Sequence, residues 1–170
     1  MIDVTANVHA EATATEAWEL ISDFEGEWEP SNPEHKGTEV LTEPKQPLRD
    51  GLRWWQREGV GPLTGELTAT VHDTRPKRAF SWTGEAIYKP FGMCVRVKEG
   101  GDFRIEPEGD GVRLVHRVWG EFPKGIVGWV IERVIGTLLR FRSAAYRHTL
   151  VELEYFAGRL EGSIARGERR

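Results

Sequence analysis

Side chains able to do acid–base or ligand chemistry are few in this chain and widely scattered. Histidines stand at 9, 35, 72, 116 and 148, and Cys94 is the one cysteine. His9, His35, His72 and His148 lack metal-ligand spacing, so no metal site and no cofactor is expected. Cys94 has no base close by in sequence, which a thiol nucleophile needs. Neither a glycine-rich phosphate loop nor a serine nucleophile elbow occurs. Glu25, Glu27, Glu29 and Glu34 form an acidic cluster that reads as wet surface. His116 is different, because it sits in an alternating segment. If Val112, Leu114 and Val118 face a core, His116 faces it too. An imidazole held there can give or take a proton near neutral pH. It can equally close the core by donating to a carbonyl or to Tyr146.

Positioning such residues requires elements. Ile2, Val4, Ala6, Val8 and Ala10 alternate with polar residues, which is strand period. Thr13 and Glu16 have capping-box spacing, so a helix begins there, with Ala17, Trp18, Ile21 and Phe24 on its apolar face and Gly26 ending it. Residues 27–36 hold Trp28, Pro30 and Pro33 and read as a second short helix or a turn. A short strand is expected at 37–42. Further strands follow at about 51–59, 64–73, 78–88, 101–107 and 111–122, punctuated by Gly, Pro and Asp turns. Short links between consecutive strands imply an antiparallel meander.

The last third changes period. Ile135, Leu139, Ser143, Tyr146, Leu150, Leu153, Ala157 and Leu160 recur at helical spacing, forming the inward stripe of one long helix that stops near Gly162. Arg140, Arg142, Arg147, Glu152, Glu154 and Arg159 lie mostly off it. The expected fold is α+β: a curved antiparallel sheet of six to seven strands wrapped around a long C-terminal helix. Where a curling sheet diverges from one helix, a pocket opens.

Strand parity gives that pocket a lining. Leu52, Trp54, Gln56 and Glu58 share one face, as do Leu67, Ala69 and Val71. Phe80, Trp82, Gly84 and Ala86 share another, and Phe103 pairs with Ile105. The expected ligand-binding residues are Trp54, Gln56, Glu58, Phe80, Trp82, Phe103, His116, Ser143, Tyr146 and Leu150. Seven tryptophans supply much apolar surface. An apolar lining with a few convergent polar groups is the usual form of a small-molecule site.

Several segments carry a resemblance. Thr15–Phe24, followed by Trp28-Glu29-Pro30, is similar to the first-helix motif of the SRPBCC helix-grip superfamily. Asp73–Trp82 resembles its turn into the middle strands. Phe103–Pro107 with Gly109–Leu114 resembles its late hairpin. The superfamily includes START lipid-transfer domains, birch-pollen-allergen-like proteins and the polyketide cyclase/dehydrase group. The resemblance spans about residues 2–161 and implies the helix-grip fold, with two short helices after the first strand. It implies no single activity, since the fold hosts carriers, receptors, cyclases and oxygenase subunits. The two-histidine, one-carboxylate iron set of the oxygenase subunits is not evident in the spacing here.

Bulk composition bounds the rest. At 170 residues, with 29% charged and 39% hydrophobic, the chain reads as one globular domain over 1–162 and a charged tail over 163–170. A net charge of −4 without a basic stripe argues against nucleic acid. No segment has the ~20 apolar residues of a spanning helix, and no signal peptide is visible. With a lone cysteine, the location expected is cytoplasmic. Residues 125–131 are apolar enough for a lid, a homodimer patch or a transient membrane contact. The function expected is binding of a hydrophobic small molecule: a lipid, a polyketide or an aromatic metabolite. The alternative is a cofactor-independent polyketide cyclase or dehydratase using His116 and Tyr146 for proton transfer.

Overall fold

The computed structural model describes residues 1–61, 63–89, 94–123, 125, 128, 129, 133 and 141–165, with 163–165 described by backbone alone. Ile135, Leu139, the tail 166–170 and most of 125–131 lie outside the described residues.

Strand β1 (Ile2–Ala10) leads into helix α1 (Ala14–Ile21). The Thr13 side chain accepts from the Glu16 amide, and the Glu16 carboxylate accepts from the Thr13 amide at 2.8 Å, completing the capping box. The helix ends earlier than Gly26, at a Ser22 cap. Residues 24–31 then run through turns, the turn alternative of the two readings for 27–36, in place of a second short helix. Six strands follow: β2 (His35–Val40), β3 (Arg53–Val60), β4 (Leu63–Arg75), β5 (Ala79–Tyr88), β6 (Val95–Glu108) and β7 (Gly111–Glu121). Helix α2 (Phe141–Ala165) closes the described chain and continues past Gly162.

The sheet has seven strands, all antiparallel, in the order β1-β7-β6-β5-β4-β3-β2. First and last strands are neighbours, with Ala6 opposite His116. Glycine allows a close approach of neighbouring strands at Gly84. A Cβ on Gly84 would meet the Thr68 carbonyl oxygen at 2.4 Å and the Ala69 Cβ at 2.7 Å.

Parity holds on each of the inner strands. Leu52, Trp54, Gln56 and Glu58 are buried, as are Leu67, Ala69, Val71, Phe80, Trp82, Phe103 and Ile105. Strand β6 starts six residues before the expected Gly101, which carries Val95, Val97 and Glu99 onto the same inner face.

The helix stripe keeps the expected Leu153, Ala157 and Leu160 but is rotated by one residue ahead of them. Phe141, Ala145, His148, Thr149, Glu152, Leu153, Phe156, Ala157 and Leu160 face the sheet. Tyr146 and Ser143 are exposed, Leu150 is only half-buried, and Glu152 is inside rather than off the stripe. One residue is about 100° around a helix. The polar pair His148 and Glu152 turns inward because each finds a buried partner there, as buried charges must.

Candidate functional site

Aromatic rings fill the half of the interior nearer α1. Phe24 stacks on Trp28 with centroids 5.0 Å apart, and Trp28 meets Phe80, Phe103 and Phe156 edge-on. The Trp28 indole donates to the Ile21 carbonyl at 2.8 Å. Phe80 and Phe103, expected to line the pocket, are fully buried within this packing. The other half keeps a cavity of about 70 Å³. Trp54, Trp82, Leu67 and Val97 give it apolar walls, and Gln56, Glu58, Glu99, His116, His148 and Glu152 give it a polar end.

Ser143, Tyr146 and Leu150 do not reach this space. They line a surface groove between α2 and β1, with Asp3, Thr5, Arg142 and Arg147. The Tyr146 hydroxyl is therefore no partner for His116. The cause is the same one-residue phase of α2.

At the polar end, five buried groups from three elements converge: His35 of β2, Gln56 and Glu58 of β3, and His148 and Glu152 of α2. His35 arrives through a β-bulge. Register shifts between His35 and Gly37, so His35 faces Glu58 while Thr38 faces Gln56. Regular alternation from Val40 would have turned Lys36 inward and His35 out. The bulge reverses this, as bulges beside sites commonly do. His148 and Glu152 stand one turn apart on α2.

The contacts are short. Glu152 Oε1 lies 3.1 Å from His35 Nε2 and 3.2 Å from His148 Nε2. The two Nε2 atoms are 3.3 Å apart. Each imidazole is held from behind: His35 Nδ1 donates to the Trp28 carbonyl at 2.7 Å, and His148 Nδ1 to the Glu34 carboxylate at 3.0 Å. The Gln56 amide donates to Glu58 Oε2 at 2.7 Å and lies 3.0 Å from His35 Nε2. Glu34 is thus part of a site rather than only wet surface. Glu27 likewise bonds Tyr155 and Arg159.

Electrostatics follow from this packing. Burial pushes the Glu152 carboxyl up, but the charge on His148 and the hydrogen bonds of the facing imidazoles outweigh it and hold the group well below its ordinary value. Burial pushes His148 down, yet Glu152 and Glu34 raise it well above the usual imidazole range. His35 behaves likewise: burial lowers it, and Glu152 above all raises it further than burial lowers it. Glu99 goes the other way. Burial drives its carboxyl up to about 8, the Glu58 charge adds to this, and the Tyr88 hydroxyl, donating at 2.8 Å, opposes it.

His116 is 2% exposed, and its ring packs against Trp28 and Phe103. Among the described residues neither of its ring nitrogens completes a hydrogen bond, nor does Glu152 Oε2. Of the expected lining, Trp54, Gln56, Glu58, Trp82 and His116 border the cavity.

Sequence reading missed His35, His148, Glu152 and Glu99. The i, i+4 spacing of His148 and Glu152 was a usable signal, as was the alternation of Val95, Val97, Glu99 and Gly101. His35 had none, since a bulge is not written in alternation.

Known proteins bear on this arrangement. No curated protein matches the sequence. Among solved structures, the protein TTHA0849 from Thermus thermophilus is similar with a TM-score of 0.69 and 15% identity, over 95% of this chain and 98% of that one. The Zhui aromatase/cyclase from Streptomyces sp. R1128 has a TM-score of 0.68 and 17% identity, over 95% and 94%. A START superfamily protein from Mycobacterium smegmatis has a TM-score of 0.54 and 21% identity, over 89% and 98%. At these identities the likeness is one of fold, and it is the helix-grip fold. The sequence itself matches a family over residues 1–154, and so the chain belongs to the polyketide cyclase/dehydrase and lipid transport family.

Proposed function

We propose that the protein binds a largely apolar small molecule between its sheet and α2, with a polar group of that molecule turned toward Gln56, Glu58 and Glu152. One observation carries this reading: a cavity walled by Trp54, Trp82, Leu67 and Val97 ends on a group of buried polar side chains. Apolar walls give affinity, and a few fixed polar groups give orientation. The space of about 70 Å³ is small for the purpose. A drug-sized site holds roughly 300–1,000 Å³, so a lipid or polyketide enters only if Trp54 or Trp82 turns aside. Native mass spectrometry of the purified chain, followed by solvent extraction, tests the reading. A co-purifying apolar molecule that quenches tryptophan fluorescence on re-addition supports it. An empty protein that shows no saturable quenching with fatty acids or naphthols refutes it.

The enzyme alternative rests on His116, whose ring nitrogens complete no hydrogen bond among the described residues, with Nδ1 facing Glu152 at 3.2 Å, and which borders the cavity. An imidazole free of structural hydrogen bonds is available for proton transfer. Tyr146 has no part in this version, being exposed on the opposite side. His116→Gln should abolish cyclisation or dehydration of an aromatic polyketide mimic while sparing its binding. Unchanged turnover would dismiss the alternative. A surface contact through 125–131, with a second copy or a membrane, is supported by Trp129, which is 63% exposed. Vesicle co-sedimentation of the wild type and Trp129→Ser tests it.

Among the described residues, no helix is long and apolar enough to cross a membrane.

A further inference from the structure

We infer that His35, His148 and Glu152 form a binding site for one divalent first-row transition-metal ion, of the zinc or ferrous kind, in the wall of the cavity. Three buried ligand atoms converge there: His35 Nε2, His148 Nε2 and Glu152 Oε1. Their separations are 3.1, 3.2 and 3.3 Å. An ion about 2.0–2.1 Å from each of three tetrahedral ligands holds those ligands roughly 3.3 Å apart. The triangle already has that size.

The outer contacts fit the same reading. A metal-bound imidazole characteristically donates its second N–H to a carbonyl or carboxylate, which fixes its tautomer and aim. His35 donates to the Trp28 carbonyl and His148 to the Glu34 carboxylate. Both Nδ1 atoms are thus committed, and both Nε2 atoms point at one spot.

A divalent cation would use one lone pair of each of the three atoms at once. Outside the triangle, Glu152 Oε2 lies 3.2 Å from the buried His116 Nδ1, so His116 backs the carboxylate as an outer contact.

Two imidazoles and one carboxylate select zinc, iron, cobalt or nickel over magnesium and calcium, which prefer oxygen alone. Three protein ligands leave at least one position open, as in metal sites that bind water or substrate. His148 and Glu152 both border the cavity, so that position opens onto it. Glu58 Oε2, at 3.6 and 3.8 Å from the two Nε2 atoms, is near enough to approach as a fourth ligand. The site does not depend on the hydrophobic-ligand reading. A cavity that binds no organic molecule would still bind the ion.

The test uses the full chain, stripped with a chelator and titrated with Co²⁺, with Zn²⁺ as competitor and elemental analysis of the unstripped protein. The result expected is saturation at a single ion per chain, visible d–d bands of four- or five-coordinate cobalt, and their loss on adding Zn²⁺. Glu152→Gln, of the same shape, should abolish the bands. Glu34→Gln should weaken binding by about 10–100-fold through His148. A His9→Ala/His72→Ala double variant, removing two surface imidazoles, should bind as the wild type does. If Glu152→Gln misfolds by circular dichroism, the wild-type titration still decides. The inference is overturned if the wild type takes up no Co²⁺ at micromolar concentration. It is equally overturned if folded Glu152→Gln keeps the bands, or if the surface double variant loses them.

Discussion

His116 Nδ1 stands 3.2 Å from Glu152 Oε2, strand against helix, a buried ion-pair contact rather than a completed hydrogen bond. Glu152 is nevertheless the hub of the interior, facing His35 and His148 through its other oxygen. The two residues should therefore respond differently to replacement. Removing one partner of a buried charge group typically costs about 3–5 kcal/mol. Glu152→Ala should lose that much in urea unfolding. His116→Gln, which breaks no completed hydrogen bond, should cost less than about 1.5 kcal/mol. Equal costs for the two would contradict this account.

Glu99 makes stability depend on pH in an unusual direction. Its carboxyl is raised in the fold to about 8 from an ordinary 4.5, by burial first and by Glu58 second. Below about pH 4.5 folded and unfolded chains both hold the proton, and the contribution is fully present. Between 4.5 and 8 only the unfolded chain ionises, so stability falls by up to about 1.4 kcal/mol per pH unit. Above 8 the loss is complete. Glu99→Gln keeps an acceptor for the Tyr88 hydroxyl and removes this slope. Unfolding free energies of wild type and variant at several pH values should converge toward pH 4.5 and separate toward pH 8, with the variant the more stable. Parallel curves would show that Glu99 ionises freely.

Trp28 joins α1 to the sheet and to α2. It stacks on Phe24, meets Phe80, Phe103 and Phe156 edge-on, and ties its indole to the Ile21 carbonyl. A buried Trp→Ala change costs about 3–5 kcal/mol. Thermal unfolding of Trp28→Ala should show a loss in that range. Its carbonyl also accepts from His35, but it belongs to the backbone and is kept in the variant.

Ser143 and Tyr146 lie in the groove between α2 and β1, away from the cavity. Tyr146→Phe and Ser143→Ala should leave the binding of any cavity ligand unchanged, within about 0.5 kcal/mol in stability as well. Trp82→Ala, which enlarges the cavity, should alter ligand affinity or selectivity. Isothermal titration of the three variants with the same ligand checks the contrast. A large effect of Tyr146→Phe would mean that the groove, not the cavity, is the site.

The amino-acid sequence by itself determined the meander, the capping box at Thr13 and Glu16, and the inward face of each strand from Leu52 to His116. These are short-range properties: period-2 alternation and turn residues act within a few positions of themselves. The family resemblance was legible for the same reason, since its motifs are turns and helix starts. Only the tertiary structure decided three things. It set the rotation of α2, because a stripe of Ser143, Tyr146 and Leu150 and a stripe of His148, Thr149 and Glu152 are both available to one helix, and the choice depends on what the sheet presents. Buried His35 and Glu58 make the polar stripe the better one. It placed His35 inside through a bulge, which inserts a residue without any mark in the alternation. And it brought His35 within 3.1 Å of Glu152 across more than a hundred residues of chain, a distance that sequence spacing does not encode.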